Sequence, residues 1–109
     1  MVYIVDLILF LVLGPANYAR GVELMKTVYN VPDLANLLGA LSTVERYGVP
    51  VTLREDTIQR GLEELKHILD MGTDSRLDLS DEQKTGLKNR NTLFVDFCHQ
   101  YIMSRTHLV

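Results

Sequence analysis

Residues 2–13 form the most apolar stretch of the chain. The run is interrupted only by Asp6 and ends at Gly14-Pro15, a pair that breaks regular structure. Because apolar residues occupy every side, periodicity cannot separate a helix from a strand, and we favour a helix on length, with a strand as the alternative. Its twelve residues are too few to cross a bilayer, which takes about twenty.

Two segments with the 3.6-residue apolar spacing of helices follow this run. The second predicted helix begins after Pro15, and the third begins after Pro32 and ends at Gly48, a residue typical of helix C-caps. Their predicted core faces are Tyr18, Val22, Met25 and Tyr29 in the second helix and Leu34, Leu37, Leu38, Leu41 and Val44 in the third. Beside the stripe of the third helix, small residues predict close approach by a neighbouring helix: Ala35, Gly39 and Ser42.

Two further helices are predicted from capping boxes, in which a Ser or Thr and a Glu or Gln three residues later each accept a hydrogen bond from the other's backbone N–H. Thr52 and Glu55 open a fourth helix that is expected to end at Gly72. Ser80 and Gln83 open a fifth that is expected to continue past residue 101, with a kink or a split at Gly86 and residues 89–92 as the alternative. The predicted core faces are Ile58, Leu62, Leu65 and Leu69 in the fourth helix and Leu87, Phe94, Phe97, Cys98 and Tyr101 in the fifth.

This pattern predicts an all-α protein, a compact bundle of four or five helices whose short Gly/Pro connections favour antiparallel neighbours. Residues 1–109 fit a single helical domain, because a chain of this length supports one core and is too short for two. Within it, residues 1–13 are the apolar N-terminal segment, and the polar residues 73–79 are expected to form a flexible loop. We expect residues 106–109 to be a frayed tail.

Composition and charge narrow the classes of function. The chain is 47% hydrophobic and 23% charged, which is typical of a folded domain, and its net charge of -3 gives no overall attraction to nucleic-acid phosphates or anionic lipid. Cys98 is the only cysteine and no Asn-x-Ser/Thr acceptor occurs, so nothing indicates an internal disulfide or a glycosylating compartment. We therefore expect an intracellular, by default cytoplasmic, protein.

No catalytic, metal or cofactor site is predicted. The chain has no Gly-rich phosphate loop, no His-Glu-x-x-His and no Cys-x-x-Cys. Cys98 and His99 are adjacent, so on a helix their side chains point about 100 degrees apart. Cys98 also lies on the predicted core side, where a free thiol behaves as a small hydrophobe. Glu63 and Glu64 belong to a mixed-charge helix face that is typical of a solvated surface.

One basic cluster indicates an alternative function in nucleic-acid binding. Lys84, Lys88 and Arg90 lie close together in the chain, and Arg105 lies further along the same predicted helix. Three such charges give only a shallow salt-dependent attraction for phosphate. The alternative is therefore a small nucleic-acid-binding regulator that acts as a dimer through these residues.

An excess of apolar residues for one small core favours a different function, a non-enzymatic protein–protein interaction or oligomerisation module. Such a protein would be a small regulatory or accessory subunit that forms a homo-oligomer or joins a larger complex. Residues 1–13 would be a buried core element or the interface; a membrane-surface anchor is the weakest alternative, because Asp6 opposes lipid burial and no Lys or Arg flanks the run. The predicted interface is Val2, Ile4, Val5, Leu7, Ile8, Leu9, Phe10, Leu11 and Leu13.

Overall fold

Five α-helices make up most of the part of the chain that the structure describes, which is residues 2–107 and the backbone of Leu108. The structure is a computed structural model. Its helices are α1 (Ile4–Leu13), α2 (Gly21–Thr27), α3 (Pro32–Tyr47), α4 (Glu55–Asp74) and α5 (Asp81–Arg105). Two short strands, β1 (Thr52–Leu53) and β2 (His107–Leu108), pair in parallel. The α4 helix packs against both α3 and α5, and α2 packs against α3. The predicted all-α bundle is confirmed.

The N-terminal apolar run is a helix, so the strand alternative is wrong. The residue before it, Tyr3, provides no side-chain cap. A carboxylate from α3 replaces that cap: Glu45 accepts hydrogen bonds from the N–H groups of Ile4, at 2.8 Å, and Val5, at 3.1 Å. The Tyr101 hydroxyl of α5 donates to the same carboxylate at 2.9 Å. The start of α1 is therefore held by α3, and through the shared carboxylate it is tied to α5.

The second helix starts later than the sequence predicts. After Pro15 the chain forms turns and a 3-10 helix at Tyr18–Arg20, and α2 begins only at Gly21. A Cβ at Gly21 would lie 2.2 Å from a Leu9 methyl carbon, so this glycine lets α2 start directly against α1. Of the predicted stripe only Met25 is fully buried, whereas Tyr18 and Tyr29 are exposed.

The third helix agrees with its predicted pattern, but the glycine that allows close approach lies on its neighbour, α4. Four of the five stripe residues are buried, and Gly48 ends the helix with a positive φ of 65°. A Cβ at Gly39 would meet nothing within 4 Å, so the small residue predicted at that position does not mark a helix contact. The tight approach occurs at Gly61 of α4, where a Cβ would lie 2.8 Å from the side chain of Leu37.

Both predicted boundaries of the fourth helix are wrong. Thr52 is part of β1, and the helix begins after Arg54, which makes no side-chain cap. Gly72 lies inside the helix, which continues to residue 74, so the predicted loop 73–79 begins only at residue 75. At the loop tip Leu77 is 98% exposed and does not anchor the segment.

The capping box at the start of the fifth helix is confirmed. The Ser80 hydroxyl accepts from the N–H of Gln83, whose side chain accepts in return from the N–H of Ser80. The helix continues unbroken for 25 residues. Phe97 was predicted on its core side and is instead 57% exposed. The frayed tail is also wrong for His107, which pairs with Thr52, and Val109 lies outside the described residues.

Candidate interaction surface

The nine residues of the predicted interface differ in how far a single copy of the chain buries them. Three of the nine are exposed: Val2 at 76%, Phe10 at 51% and Leu11 at 50%. Leu7 is half-buried and lies with Phe10 in a depression that also includes Tyr18. The remaining five residues are buried inside a single copy of the chain: Ile4, Val5, Ile8, Leu9 and Leu13. An apolar surface on α1 is thus limited to its outer side.

Asp6, the one charged residue of the N-terminal run, is neutralised within the chain. Its carboxylate forms an ion pair with Arg46 of α3, and the Arg46 guanidinium also lies 5.2 Å from the centre of the Tyr3 ring. This pairing lets a charge sit beside the apolar side chains of α1, and it fixes the side of the helix that faces α3. The exposed apolar residues of α1 are therefore held in one orientation.

A groove, which we call the acidic groove, lies between residues 29–33 and the outer side of α4. Its volume is about 900 Å³. The exposed Met71 contributes to its apolar wall, together with Val12, Tyr29, Val31 and Ile68. Its charged residues are Asp33, Arg60, Glu63 and Glu64, with His67 beside them. Three carboxylates against one guanidinium make this groove net negative.

The charges of the acidic groove are not equally available. Glu64 accepts a hydrogen bond from the N–H of Leu34 at 2.7 Å, so its carboxylate caps the start of α3. Asp33 pairs with Arg60 at 3.7 Å. Glu63 is exposed and makes no hydrogen bond or ion pair with any residue that the structure describes. Glu63 is therefore the carboxylate of this groove that remains free to meet a cation.

A second groove, which we call the basic groove, lies between the end of α1, the end of α4 and the middle of α5. Its volume is about 470 Å³ and its apolar wall includes the exposed Leu11. The other apolar side chains are Val12, Ile68, Leu69, Leu87 and Phe94, and the polar ones are Thr73, Arg76, Arg90 and Asn91. Arg76 is paired at 2.8 Å with Asp78, whereas Arg90 has no ion pair among the described residues.

The four residues of the predicted basic cluster do not share one surface. Lys84 donates to the carbonyl of Asp74 at 3.1 Å, and Lys88 pairs with the carboxylate of the same residue at 2.6 Å. This hydrogen bond raises the pKa of Lys88. Arg90 faces the basic groove, and Arg105, fifteen residues and thus about 22 Å further along α5, lies over the Tyr101 ring. Both lysines of the cluster therefore hold the end of α4 against α5.

A polar network behind the basic groove fixes α4 against α5. Asn91 donates to the carboxylate of Asp70 at 3.0 Å and to the hydroxyl of Thr73 at 3.2 Å, and Lys66 pairs with the other oxygen of Asp70 at 2.5 Å. Burial alone would raise the pKa of the Asp70 carboxyl, but the hydrogen bonds from Lys66 and Asn91 outweigh it and hold this pKa below its ordinary value. Asp70 is therefore a carboxylate that stabilises the helix pair.

The only cysteine of the chain, Cys98, lies in the core. Cys98 is fully buried, and burial raises the pKa of its thiol to about 12. The predicted core position of Cys98 is confirmed. In residues 2–108, no group of three or more His, Cys, Asp or Glu side chains is arranged to hold a metal ion.

No single helix among residues 2–108 is long and apolar enough to cross a membrane. The segments Ile4–Leu13 and Tyr18–Thr27 reach that length and composition only together, with a bend of 110° between them.

The two grooves could not be found from the sequence. Met71 and Leu11 lie sixty residues apart, and only the fold places them near one boundary. A single exposed arginine or glutamate in a mixed-charge helix gives no pattern that separates it from its neighbours. No known protein family, curated protein or solved structure matches the chain.

Proposed function

We propose that this chain is a non-enzymatic helical oligomerisation module that associates with a second copy of itself through the outer side of α1 and the surface beside it. The observation that carries the proposal is the exposure of Phe10 and Leu11 on a helix whose other side forms the core. Large apolar side chains held in a fixed orientation on a rigid helix are typical of protein interfaces. Such a module would serve as an accessory or regulatory subunit.

The energetics support association at this surface. The exposed half of the Phe10 side chain corresponds to about 100 Å², and removing that area from water contributes about 2.5 kcal/mol. Leu11 adds a similar amount, and in a symmetric dimer each contribution occurs twice. The net charge of -3 produces little repulsion between two copies. The gain is of the size that can offset the entropy lost when two molecules associate.

The test is light scattering coupled to size-exclusion chromatography over a concentration series of the full chain. We expect the wild-type chain to form a discrete dimer, and the double variant Phe10→Gln with Leu11→Gln to be monomeric. The matched control is Leu93→Gln with Phe97→Gln, because these α5 residues are similarly exposed, at 68% and 57%. A wild-type chain that stays monomeric at every concentration would refute self-association. If the control variant lost the dimer as fully as the α1 variant, the result would assign the interface to α5 and not to α1.

The same chromatography peak tests the nucleic-acid alternative. The chain has no Trp, so bound nucleic acid would raise the ratio of absorbance at 260 nm to that at 280 nm strongly. Binding through the basic cluster would also be lost in a low-salt gel shift on Lys84→Glu with Lys88→Glu. We expect neither result, because both lysines already contact Asp74. A nucleic-acid-bearing peak that these substitutions abolish would favour the alternative over the oligomerisation module.

A further inference from the structure

We propose that two copies of the chain associate about a two-fold axis at the boundary between the acidic and basic grooves, so that the acidic groove of each copy meets the basic groove of the other. This inference rests on the proposed self-association and specifies its surface. It requires that one face of the molecule be complementary to itself, because a two-fold interface uses the same patch on both copies.

The two grooves adjoin each other. Three residues line both of them and so mark their common boundary: Val12 of α1 and Ile68 and Gly72 of α4. A rotation of 180° about an axis that runs along this boundary, in the plane of the contact, exchanges its acidic and basic sides. Each acidic groove of one copy is then placed opposite a basic groove of the other. Leu11, which lines the basic groove, is the part of the exposed α1 surface that lies inside this contact.

The available charges match this exchange. Glu63 in the acidic groove and Arg90 in the basic groove make no ion pair among the described residues, whereas the neighbouring charges Asp33, Glu64 and Arg76 have partners within the chain. The rotation brings Glu63 of each copy toward Arg90 of the other and forms the pair twice. Like charges would meet in any arrangement that placed two acidic grooves together, and that would disfavour it.

The apolar residues show the same two-sided arrangement. Met71 is 57% exposed in the acidic groove, and Leu11 is 50% exposed in the basic groove. The rotation sets Leu11 of one copy against Met71 of the other, so that both lose their contact with water. At the boundary, a Cβ on Gly72 would meet nothing within 4 Å. The absence of a side chain at this point leaves room for a second copy to approach the α4 backbone.

The decisive experiment is a charge exchange read by sedimentation equilibrium of the full chain. Glu63→Arg alone and Arg90→Glu alone each create two like-charge contacts, and we expect each to raise the dimer Kd by roughly tenfold or more. The double variant restores opposite charges in exchanged positions and should return the Kd to within about threefold of the wild-type value. Wild-type association should also weaken as salt is raised.

Control variants separate this face from general effects of charge. Glu82→Arg and Arg20→Glu make the same charge changes at exposed positions that line neither groove, and they should leave the Kd unchanged. Gly72→Gln adds a side chain into open space in one copy, so circular dichroism should report an intact helical fold while the dimer is lost.

The outcomes distinguish the two proposals. The two-fold arrangement would be overturned if the single charge reversals left the dimer Kd unchanged, or if the Kd of the double variant stayed as high as that of the single variants. Either result would leave the proposed oligomerisation module unaffected. Retained dimerisation in Gly72→Gln would likewise overturn the two-fold arrangement. A wild-type chain that never dimerises would overturn both. Rescue by the double variant, with inert controls, is the expected result.

Discussion

The carboxylate of Glu45 is predicted to contribute more to stability than any other single surface-accessible charge of α3. It accepts the first two N–H groups of α1, from Ile4 and Val5, together with the hydroxyl of Tyr101. Substitution by Ala leaves these donors without their acceptor at the end of a helix that supplies much of the core. A side chain from another helix thus accepts the hydrogen bonds that a local capping side chain accepts in many helices.

The magnitude follows from the three hydrogen bonds. Loss of a helix cap costs about 1 kcal/mol, and hydrogen bonds to a charged acceptor contribute about 1.5–3 kcal/mol. For Glu45→Ala we expect the free energy of unfolding to fall by about 2–3 kcal/mol, which at this chain length lowers Tm by about 10 °C. Glu45→Gln keeps an acceptor oxygen but loses the charge that favours a helix N-terminus, so a loss of about 1 kcal/mol is expected. Tyr101→Phe should cost about 1 kcal/mol.

The assay is urea unfolding followed by far-ultraviolet circular dichroism, at a concentration where the chain is monomeric. Asp96→Asn is the control, because it removes one carboxylate charge from an exposed position in the middle of α5. The double variant Glu45→Ala with Tyr101→Phe should be less destabilised than the sum of the single variants by about 1 kcal/mol, since both remove the same bond. Full additivity, or a Glu45→Ala variant no less stable than the control, would refute the shared-carboxylate cap.

Two other predictions test the core. Because burial raises the pKa of Cys98 to about 12, its thiolate fraction at pH 8 is roughly 10⁻⁴. An aromatic disulfide reagent should therefore label the chain only after urea unfolding. Rapid labelling of the native chain would contradict this. Gly61→Ala forces a Cβ to within 2.8 Å of the Leu37 side chain and should cost about 1–3 kcal/mol. Gly86→Ala is the control, because a Cβ at this position would meet nothing within 4 Å, and it should stabilise α5 by up to about 1 kcal/mol. If both substitutions changed the free energy of unfolding in urea equally, the α3–α4 contact would be loose.

The two predicted capping boxes show what local sequence can and cannot determine. Ser80 with Gln83 and Thr52 with Glu55 have the same spacing and the same chemistry, yet only the first forms. The first depends on its own four residues. The second is lost because Thr52 pairs with His107, which is more than fifty residues away in the chain. Local patterns therefore predicted the helix number and the stripe of α3, whereas boundaries set by distant pairing could not be read from them.

The candidate surface was predictable only in part, and for the same reason. The sequence marks residues 2–13 as apolar on every side, but the side that faces outward depends on where α3 and the 3-10 helix Tyr18–Arg20 pack. The internal partners of the predicted basic cluster could not be seen from the sequence for a related reason: Lys84 and Lys88 lie beside Asp74 only once α4 turns back into α5. A charge is available for binding only if no internal partner reaches it, and that is a property of the fold.

The division of α1 into a buried and an exposed side determines which experiment can test its role. Deleting residues 1–13 removes the exposed Phe10 and Leu11, but it also removes five side chains that are buried in the core. At about 1.5–3 kcal/mol for each buried side chain, that deletion costs roughly 8–15 kcal/mol, as much as the whole stability of a typical domain. A truncated chain that aggregates or changes oligomeric state would therefore report unfolding as readily as a lost interface. Substitutions confined to Phe10 and Leu11 leave the buried side intact, so a change in association measured on them, with an unchanged unfolding curve, belongs to the surface alone.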